Sequence, residues 1–392
     1  MASFEDEVDA AQALVAQLEA RVQMDEGGRG IAEIVLPPGE LFAAAQTLCD
    51  SHSVAIISGF PCMLDHDPPT ETDGPLGALA IARACLALGK SVVLLTDECN
   101  EEVFLACCAA SGLDEPFQQG LLSLASFPGL ASFDAADARR LRETCADVDL
   151  VVAIERAGPA ADGCYYTMRG RDMSALVAPL DDLLQPVAED EEQGGEGEEG
   201  VGGGADADLE AVEGVRPRAA AGAGGAPRSI CIGDGGNEVG MGKIYARIVA
   251  SSIPNARLIA CVVPCDHLVV CSVSNWGGYA LAAAAAVCTA HQQQQQQQQE
   301  EEQEESGHGQ GRGQEQRQGR GAGQERHLEQ LLQVCLPSAD DESRMCERIV
   351  QAGARDGLTG ASACMVDGMP LQASLDVLRE LGAIARGGVC DV

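Results

Sequence analysis

The sequence predicts an α/β fold of three layers: a mostly parallel sheet with crossover helices, interrupted by two low-complexity inserts. Short apolar runs alternate with longer mixed segments, the pattern of strands joined by helices. Each apolar run ends in polar or glycine-rich sequence, as strands do when their loops gather at one rim. Aromatic residues make up 3% of the 392 residues, so the core has to be built from Ala, Leu, Val and Ile.

In chain order, the predicted strands are VAIISG (54–59), SVVLLTD (91–97), DLVVAIE (149–155), SICIGD (229–234) and RLIACVV (257–263), with LVVCSV (268–273) the weakest. Residues 1–186 form the first part of the α/β domain. At 187–227 an acidic, glycine-rich insert intervenes that cannot bury enough apolar surface to fold alone. The domain resumes over 228–290, and eight glutamines then open a Gln/Glu/Gly-rich insert at 291–327, expected to be solvated. A helical C-terminal part occupies 328–392.

The formal charge of −36 repels nucleic-acid phosphates and anionic lipid, which excludes both as partners. The apolar run YALAAAAAVCTA is too short to span a bilayer. Seventeen cysteines without a CxxC pair are expected to be reduced and mostly buried. The start, MASFEDEVDA, is acidic where a transit peptide is basic, so a cytoplasmic location is expected, with a mitochondrial or other organellar one as the alternative. Oligomeric state is not legible.

The strand-end loops carry the chemistry. GDGGNEVGMGK (233–243) lacks the Walker pattern, and its fourth glycine misses the dinucleotide spacing. Its glycines permit positive φ and bring main-chain N–H groups to a ligand, while Asp234, Asn237 and Glu238 suit an ammonium, a metal or proton transfer; a tight Asp/Asn turn is the bland alternative. In ETDGPLGA (71–78), Glu71 and Asp73 share a side if the backbone is extended, and crowding would raise one carboxyl pKa towards neutrality. Asp73 could equally open the turn at Gly74 and Pro75.

Arg169 and Arg171 flank Gly170 and could hold a carboxylate by their forks, or pair with surplus acids. Asp266 and His267 are adjacent, a weak metal signal without an HxxxH partner. In SNWGG, Asn275 and the glycines are expected to line the pocket while Trp276 packs. DGLTG and VDGMP read as Asp-Gly turns and are individually bland.

Taken together, GFPC, ETDGPLGA, ERAGPAADGCYYTMRGRD, IGDGGNEVGMGKI, PCDHLVVCSVSNWGGYAL and VDGM resemble the C-terminal domain of the D-glutamate cyclase family, over about residues 30–290 and 328–385. Against the longer vertebrate form, the N-terminal hydro-lyase-like domain and the mitochondrial leader are not found in this sequence, and the two inserts are a departure. The resemblance implies reversible condensation of D-glutamate to 5-oxo-D-proline and water, with a small acidic metabolite as partner.

Such a reaction needs a base, an acid for the departing oxygen, donors for the oxyanion and a cationic clamp for the spectator carboxylate. Asp234 or Glu238 is assigned as base and Glu71 or Asp73 as acid. Lys243 with the N–H groups of Gly235 and Gly236 meets the oxyanion. Arg169 clamps the α-carboxylate, with Arg171, Asn237 and Asn275 as further substrate contacts. A competing arrangement holds a divalent ion on Asp73, Asp234 and Asp266, whose oxygens favour Mg²⁺ or Mn²⁺. The rival functions are a related amino-acid or amide lyase or hydrolase acting on a different acidic substrate, and a non-catalytic binder of an acidic metabolite.

Overall fold

The computed structural model describes residues 4–185, 226–307 and 315–388. Six parallel strands form one sheet: β1 (Ser53–Gly59), β2 (Ser91–Asp97), β3 (Leu122–Phe127), β4 (Leu150–Arg156), β5 (Arg228–Gly233) and β6 (His267–Val270), in the order β3-β2-β1-β4-β5-β6. A small antiparallel hairpin, β7 (Met365–Val366) and β8 (Met369–Pro370), stands apart. The helices are α1 (Phe4–Val22), α2 (Glu40–Asp50), α3 (Pro75–Ala87), α4 (Glu101–Ala110), α5 (Asp114–Gln118) and α6 (Ala135–Thr144), then α7 (Tyr245–Ala250), α8 (Ala256–Ile259), α9 (Ser274–Gly307), α10 (Glu315–Cys335), α11 (Ala339–Gln351) and α12 (Leu371–Ala385).

Successive side chains of a strand point to opposite faces, and the core divides accordingly. Val54 and Ile56 of β1 join the apolar cluster built by α1 to α4 and α9 to α12. Ala55 and Ile57 join the cluster formed with Ile31, Ile34, Leu141 of α6, Ile248 of α7 and Ile259 of α8. These are the three layers the sequence predicts. Strands buried on both faces read as continuous apolar runs, which is why β1, β2, β4 and β5 were visible.

Two strand expectations are corrected. RLIACVV is not a strand: Ala256–Ile259 is helical, and Val262 and Val263 bond instead to Pro159 and to Gly240 and Gly242, covering the glycine loop. The weaker LVVCSV run is the strand, β6, which begins at His267. The edge strand β3 was missed because LSLASF is half exposed and carries no continuous apolar run.

Most of the first insert lies outside the described residues. The second contains more helix than its composition suggested, because α9 runs on from its buried Ala-rich half to Gly307 and α10 begins at Glu315. Gln, Glu and Ala are good helix formers, so a helix nucleated by packing propagates into them. No described helix is long and apolar enough to cross a membrane, and the described cysteines are free thiols.

The strand order reverses direction between β1 and β4. In an open parallel sheet this switch point leaves a crevice beyond the carboxyl ends of the strands. The loops after β1, β4, β5 and β6 all leave from that rim.

Candidate active site

A cavity of about 680 Å³ opens over the switch point. Glu71, Glu155, Asp234, Glu238 and Asp367 line it with Arg29, and Asp73 lies in their wall, where Asp73, Asp234 and Asp367 keep carboxylate oxygens within 4.8 Å of one another. All six acids are buried.

Each acid is placed by its loop. Asp73 receives the N–H groups of Ser274 and Asn275 at 2.8 Å each and that of Gly74 at 3.0 Å, so its carboxylate caps the N-terminus of α9, where the helix dipole favours negative charge. Glu238 is wrapped by its own glycine turn: it accepts from the N–H groups of Asp234 at 3.1 Å, Gly235 at 2.6 Å and Gly236 at 2.7 Å. Positive φ at Gly236 (99°) makes that nest possible.

Glu155 sits on a β-bulge. The β1–β4 register passes from Ser58↔Ile154 to Gly59↔Arg156, leaving Glu155 unpaired with a left-handed φ of 40°. This strained backbone turns its carboxylate to the cavity, where Ser274 Oγ donates to it at 2.6 Å. Arg156 then points away and forms a buried two-bond pair with Asp97, at 2.6 and 2.8 Å. Asp367 occupies the two-residue turn of the β7–β8 hairpin, with φ of 51° followed by 78° at Gly368, the left-handed pair that an Asp-Gly turn supplies.

Arg29 is the partly buried cation among these acids. Its Nη2 lies 2.5 Å from Asp234 Oδ2, 3.0 Å from Asp367 Oδ2 and 2.7 Å from the Ser272 carbonyl. Asp367 Oδ2 has that ion pair but no hydrogen bond of good geometry among the described residues.

Electrostatically the site is crowded with its own charge. Burial, then the neighbouring Asp234, pushes the Asp73 and Glu238 carboxyls up to about 7. Glu71, Glu155 and Asp367 are driven well above the usual carboxylate range, first by burial and then by the other acids. Burial opposes the charge of Arg29, yet Asp234 and Asp367 hold its guanidinium above its ordinary value. Burial also raises the Cys62 thiol, beside Glu71, so Cys62 is no thiolate nucleophile at neutral pH.

The cavity therefore combines carboxyls held well above the usual carboxylate range with others titrating near 7, the combination acid–base catalysis needs. Two oxygen-only trios, Asp73/Asp234/Asp367 and Glu155/Asp234/Glu238, each bring ligand atoms within 4.8 Å of one another, a donor set suited to a hard divalent ion.

The structure thus brings Glu71, Asp73, Asp234 and Glu238 together as expected. Asn237 also lines the cavity, with its amide donating to the Tyr166 carbonyl at 2.7 Å. Several other expectations are corrected. Lys243 binds Glu40 at 2.7 Å and the Asp266 carbonyl, outside the cavity lining, and so does not face an oxyanion there. The N–H groups of Gly235 and Gly236 are taken by Glu238. Asp266 accepts from Ser229 at the start of β5, the opposite end of the strands from Asp234, so it cannot share an ion with Asp73. Asp367 takes its place in the trio.

Arg171 lines the cavity mouth but is committed to Asp65 by bonds of 2.7 and 3.0 Å, while exposed Arg169 donates to the Leu358 carbonyl at 2.7 Å. Asn275 is a brace between α3 and α9, and the glycines of SNWGG serve packing. A Cβ on Gly278 would come within 2.8 Å of the Gly77 backbone. Trp276 packs, fully buried.

Sequence reasoning missed Glu155, Asp367 and Arg29. Only the Asp-Gly of VDGM and the glycines around Arg29 in DEGGRG hinted at special backbone, and neither carries a catalogued motif.

The family model for "D-glutamate cyclase-like, C-terminal" matches residues 18–221 and 218–382. The human protein named D-glutamate cyclase, mitochondrial, is 31% identical over 363 residues, covering 91% of this chain and 49% of that protein. The chain spans about half the length of this curated relative. By the match to the family model and the identity to this relative, the chain belongs to the D-glutamate cyclase-like C-terminal family.

Proposed function

We propose that the protein is a hydro-lyase interconverting D-glutamate and 5-oxo-D-proline plus water in the cavity at the switch point. The observation that carries the proposal is the gathering of Glu71, Asp73, Glu155, Asp234, Glu238 and Asp367 around one cavity. The activity in the human relative's name supports the choice of reaction.

In the forward direction the substrate ammonium enters beside Asp234 and Glu238. Glu238 takes a proton, the freed amine attacks the γ-carboxyl carbon, and a C–N bond forms. Glu71, whose carboxyl burial holds well above the usual range, protonates the departing oxygen as the C–O bond breaks. The γ-carboxyl enters carrying a proton, so of the two protons that leave the nitrogen one completes the departing hydroxyl as water and the other returns to solvent, and Glu71 and Glu238 end as they began. The crowded acids also disfavour a further negative charge, which keeps the γ-carboxyl of the substrate protonated and electrophilic.

A second arrangement is favoured by the two oxygen-only trios. Asp73, Asp234 and Asp367 would hold Mg²⁺ or Mn²⁺, and the ion would polarise a substrate oxygen.

The test is incubation of the purified protein with D-glutamate and, separately, L-glutamate, following 5-oxoproline by chiral chromatography before and after exhaustive chelation. Formation of the D product is expected. Its absence with and without added Mn²⁺ sinks the proposal and favours a different acidic substrate or a binding role. Loss on chelation and recovery with Mn²⁺ selects the metal arrangement.

A further inference from the structure

We infer that Arg29 is the specificity-determining residue that recognises the substrate's spectator carboxylate, a role deepening the proposed reaction and resting on it for the identity of that substrate. Every contact of the guanidinium uses Nη2, which faces Asp234, Asp367 and the Ser272 carbonyl. Nε and Nη1 have no hydrogen bond among the described residues, and Arg29 lines the cavity. A guanidinium pinned at Nη2 holds its remaining N–H groups in fixed directions, preorganised to give a carboxylate a charge-assisted hydrogen bond.

The loop under it is built for this. The Asp25 carboxylate accepts from the N–H groups of Arg29 at 2.9 Å and Gly30 at 2.8 Å, and the flanking Gly28 and Gly30 adopt φ of 62° and 86°. Asp234 and Asp367 are positioning residues for the guanidinium, and they come from the glycine loop and the β7–β8 hairpin, so three distant segments fix one side chain.

The other cations lining the cavity do not match it. Arg171 spends its fork on Asp65, and Arg169 lies exposed at the mouth. In a wall of acids, one cation with uncommitted N–H donors dictates which end of an amino dicarboxylic acid lies where. The spectator carboxylate goes to Arg29, and the ammonium and reacting carboxyl go to the acids.

The experiment is a ligand cycle at equilibrium: binding of 5-oxoproline and of 2-pyrrolidinone, the same ring without its carboxylate, to the wild type, Arg29→Ala and Arg29→Lys. Glutarate serves as an acyclic dicarboxylate probe, and thermal melts are recorded alongside. The wild type is expected to prefer 5-oxoproline by roughly tenfold or more, the scale of a charge-assisted hydrogen bond. That preference should disappear in Arg29→Ala and fall in Arg29→Lys, which keeps a charge between Asp234 and Asp367 but has no second nitrogen to offer a carboxylate. If the alanine variant does not fold, the lysine variant decides.

A preference for 5-oxoproline unchanged in both folded variants overturns the assignment, and wild-type turnover of D-glutamate would then leave the cyclase proposal standing. Glutarate binding that depends on Arg29, in a protein that neither converts D-glutamate nor binds 5-oxoproline, keeps the carboxylate assignment and overturns the cyclase. Absence of any carboxylate binding overturns the Arg29 assignment.

Discussion

Asp73 and Asn275 brace each other across the junction of α3 and α9. Asp73 Oδ1 accepts the Asn275 N–H at 2.8 Å, and Asn275 Oδ1 returns the contact by accepting from Gly74 and Gly77 at 3.0 and 2.7 Å. The two helix N-termini therefore satisfy each other's orphan donors beside the cavity. Replacing Asn275 by Ala leaves the buried Gly77 N–H without an acceptor, at about 1–3 kcal/mol, while the Gly74 N–H keeps its bond to Asp73. A loss of roughly 1–3 kcal/mol in a urea titration is expected. A loss within experimental error would show that the brace carries no stability.

The rim has a second fastening in Asp97 and Arg156. Beyond their two-bond pair, Asp97 accepts from the Ala178 N–H at 2.7 Å and from Asn100 at 2.9 Å, tying β2, β4 and the loop after β4 together. Asp97→Ala strands a buried guanidinium and is expected to cost about 3–5 kcal/mol. Asp65→Ala removes the partner of exposed Arg171 and should leave the unfolding midpoint unmoved, because solvent already screens that pair. Equal effects from the two substitutions would refute the distinction between buried and exposed pairs here.

Much of this architecture was legible because a strand buried on both faces has to be a continuous apolar run, and β1, β2, β4 and β5 are such runs. The acids on strand-end loops were legible for the same reason, since Glu71, Asp73, Asp234 and Glu238 sit where polar sequence follows an apolar run. Glu155 was not, because a bulge is a matter of register and the sequence shows only an acid at the end of a strand. Asp367 and Arg29 come from outside the sheet, and only the folded chain places them in the cavity. Lys243 and Asp266 misled because nearness in sequence to the rim loops says nothing about which end of the sheet a side chain reaches.

Buried Glu342 gives the protein a pH-dependent stability separable from the site. Burial pushes its carboxyl up to about 7 from an ordinary 4.5, and Tyr279 donates to Oε1 while Oε2 has no partner among the described residues. A raised carboxyl pKa means that the folded state holds the proton more tightly than the unfolded one. The stabilisation is full below about 4.5 and is lost as pH rises through about 7. Glu342→Gln stays neutral throughout, so its stability relative to the wild type should improve between pH 5 and 8 by on the order of 2–3 kcal/mol. A difference constant with pH would mean that Glu342 does not titrate in this window.

Glu238→Gln tests the proposed base. The amide keeps one acceptor oxygen, so it still serves Asp234 and Gly235 or else Gly236, but it cannot take the ammonium proton. Turnover of D-glutamate should fall at least about 100-fold, the lower end for lost acid–base catalysis. The thermal midpoint should move much less than it does in Asp97→Ala. Turnover retained within a few-fold would transfer the role to Asp234.

Gly357 offers a steric route to Glu71 that leaves the carboxyl group in the molecule. A Cβ at this position would fall 1.8 Å from Glu71 Oε2, and Gly357 shares the cavity wall with Glu71. No positive φ obstructs the substitution, so Gly357→Ala adds one methyl group and its whole consequence is displacement of a carboxyl group. Effective acid catalysis needs the proton within about 3 Å of its acceptor, and displacement by an ångström costs on the order of 100-fold. Gly357→Ala should therefore lower kcat strongly while the protein melts near the wild-type temperature. The sterically open Gly360→Ala serves as a control: its strained φ of 73° predicts a small loss of stability with turnover intact. Unchanged turnover in Gly357→Ala would show that Glu71 adapts without penalty, and the proposed acid would then have to be sought at Glu155.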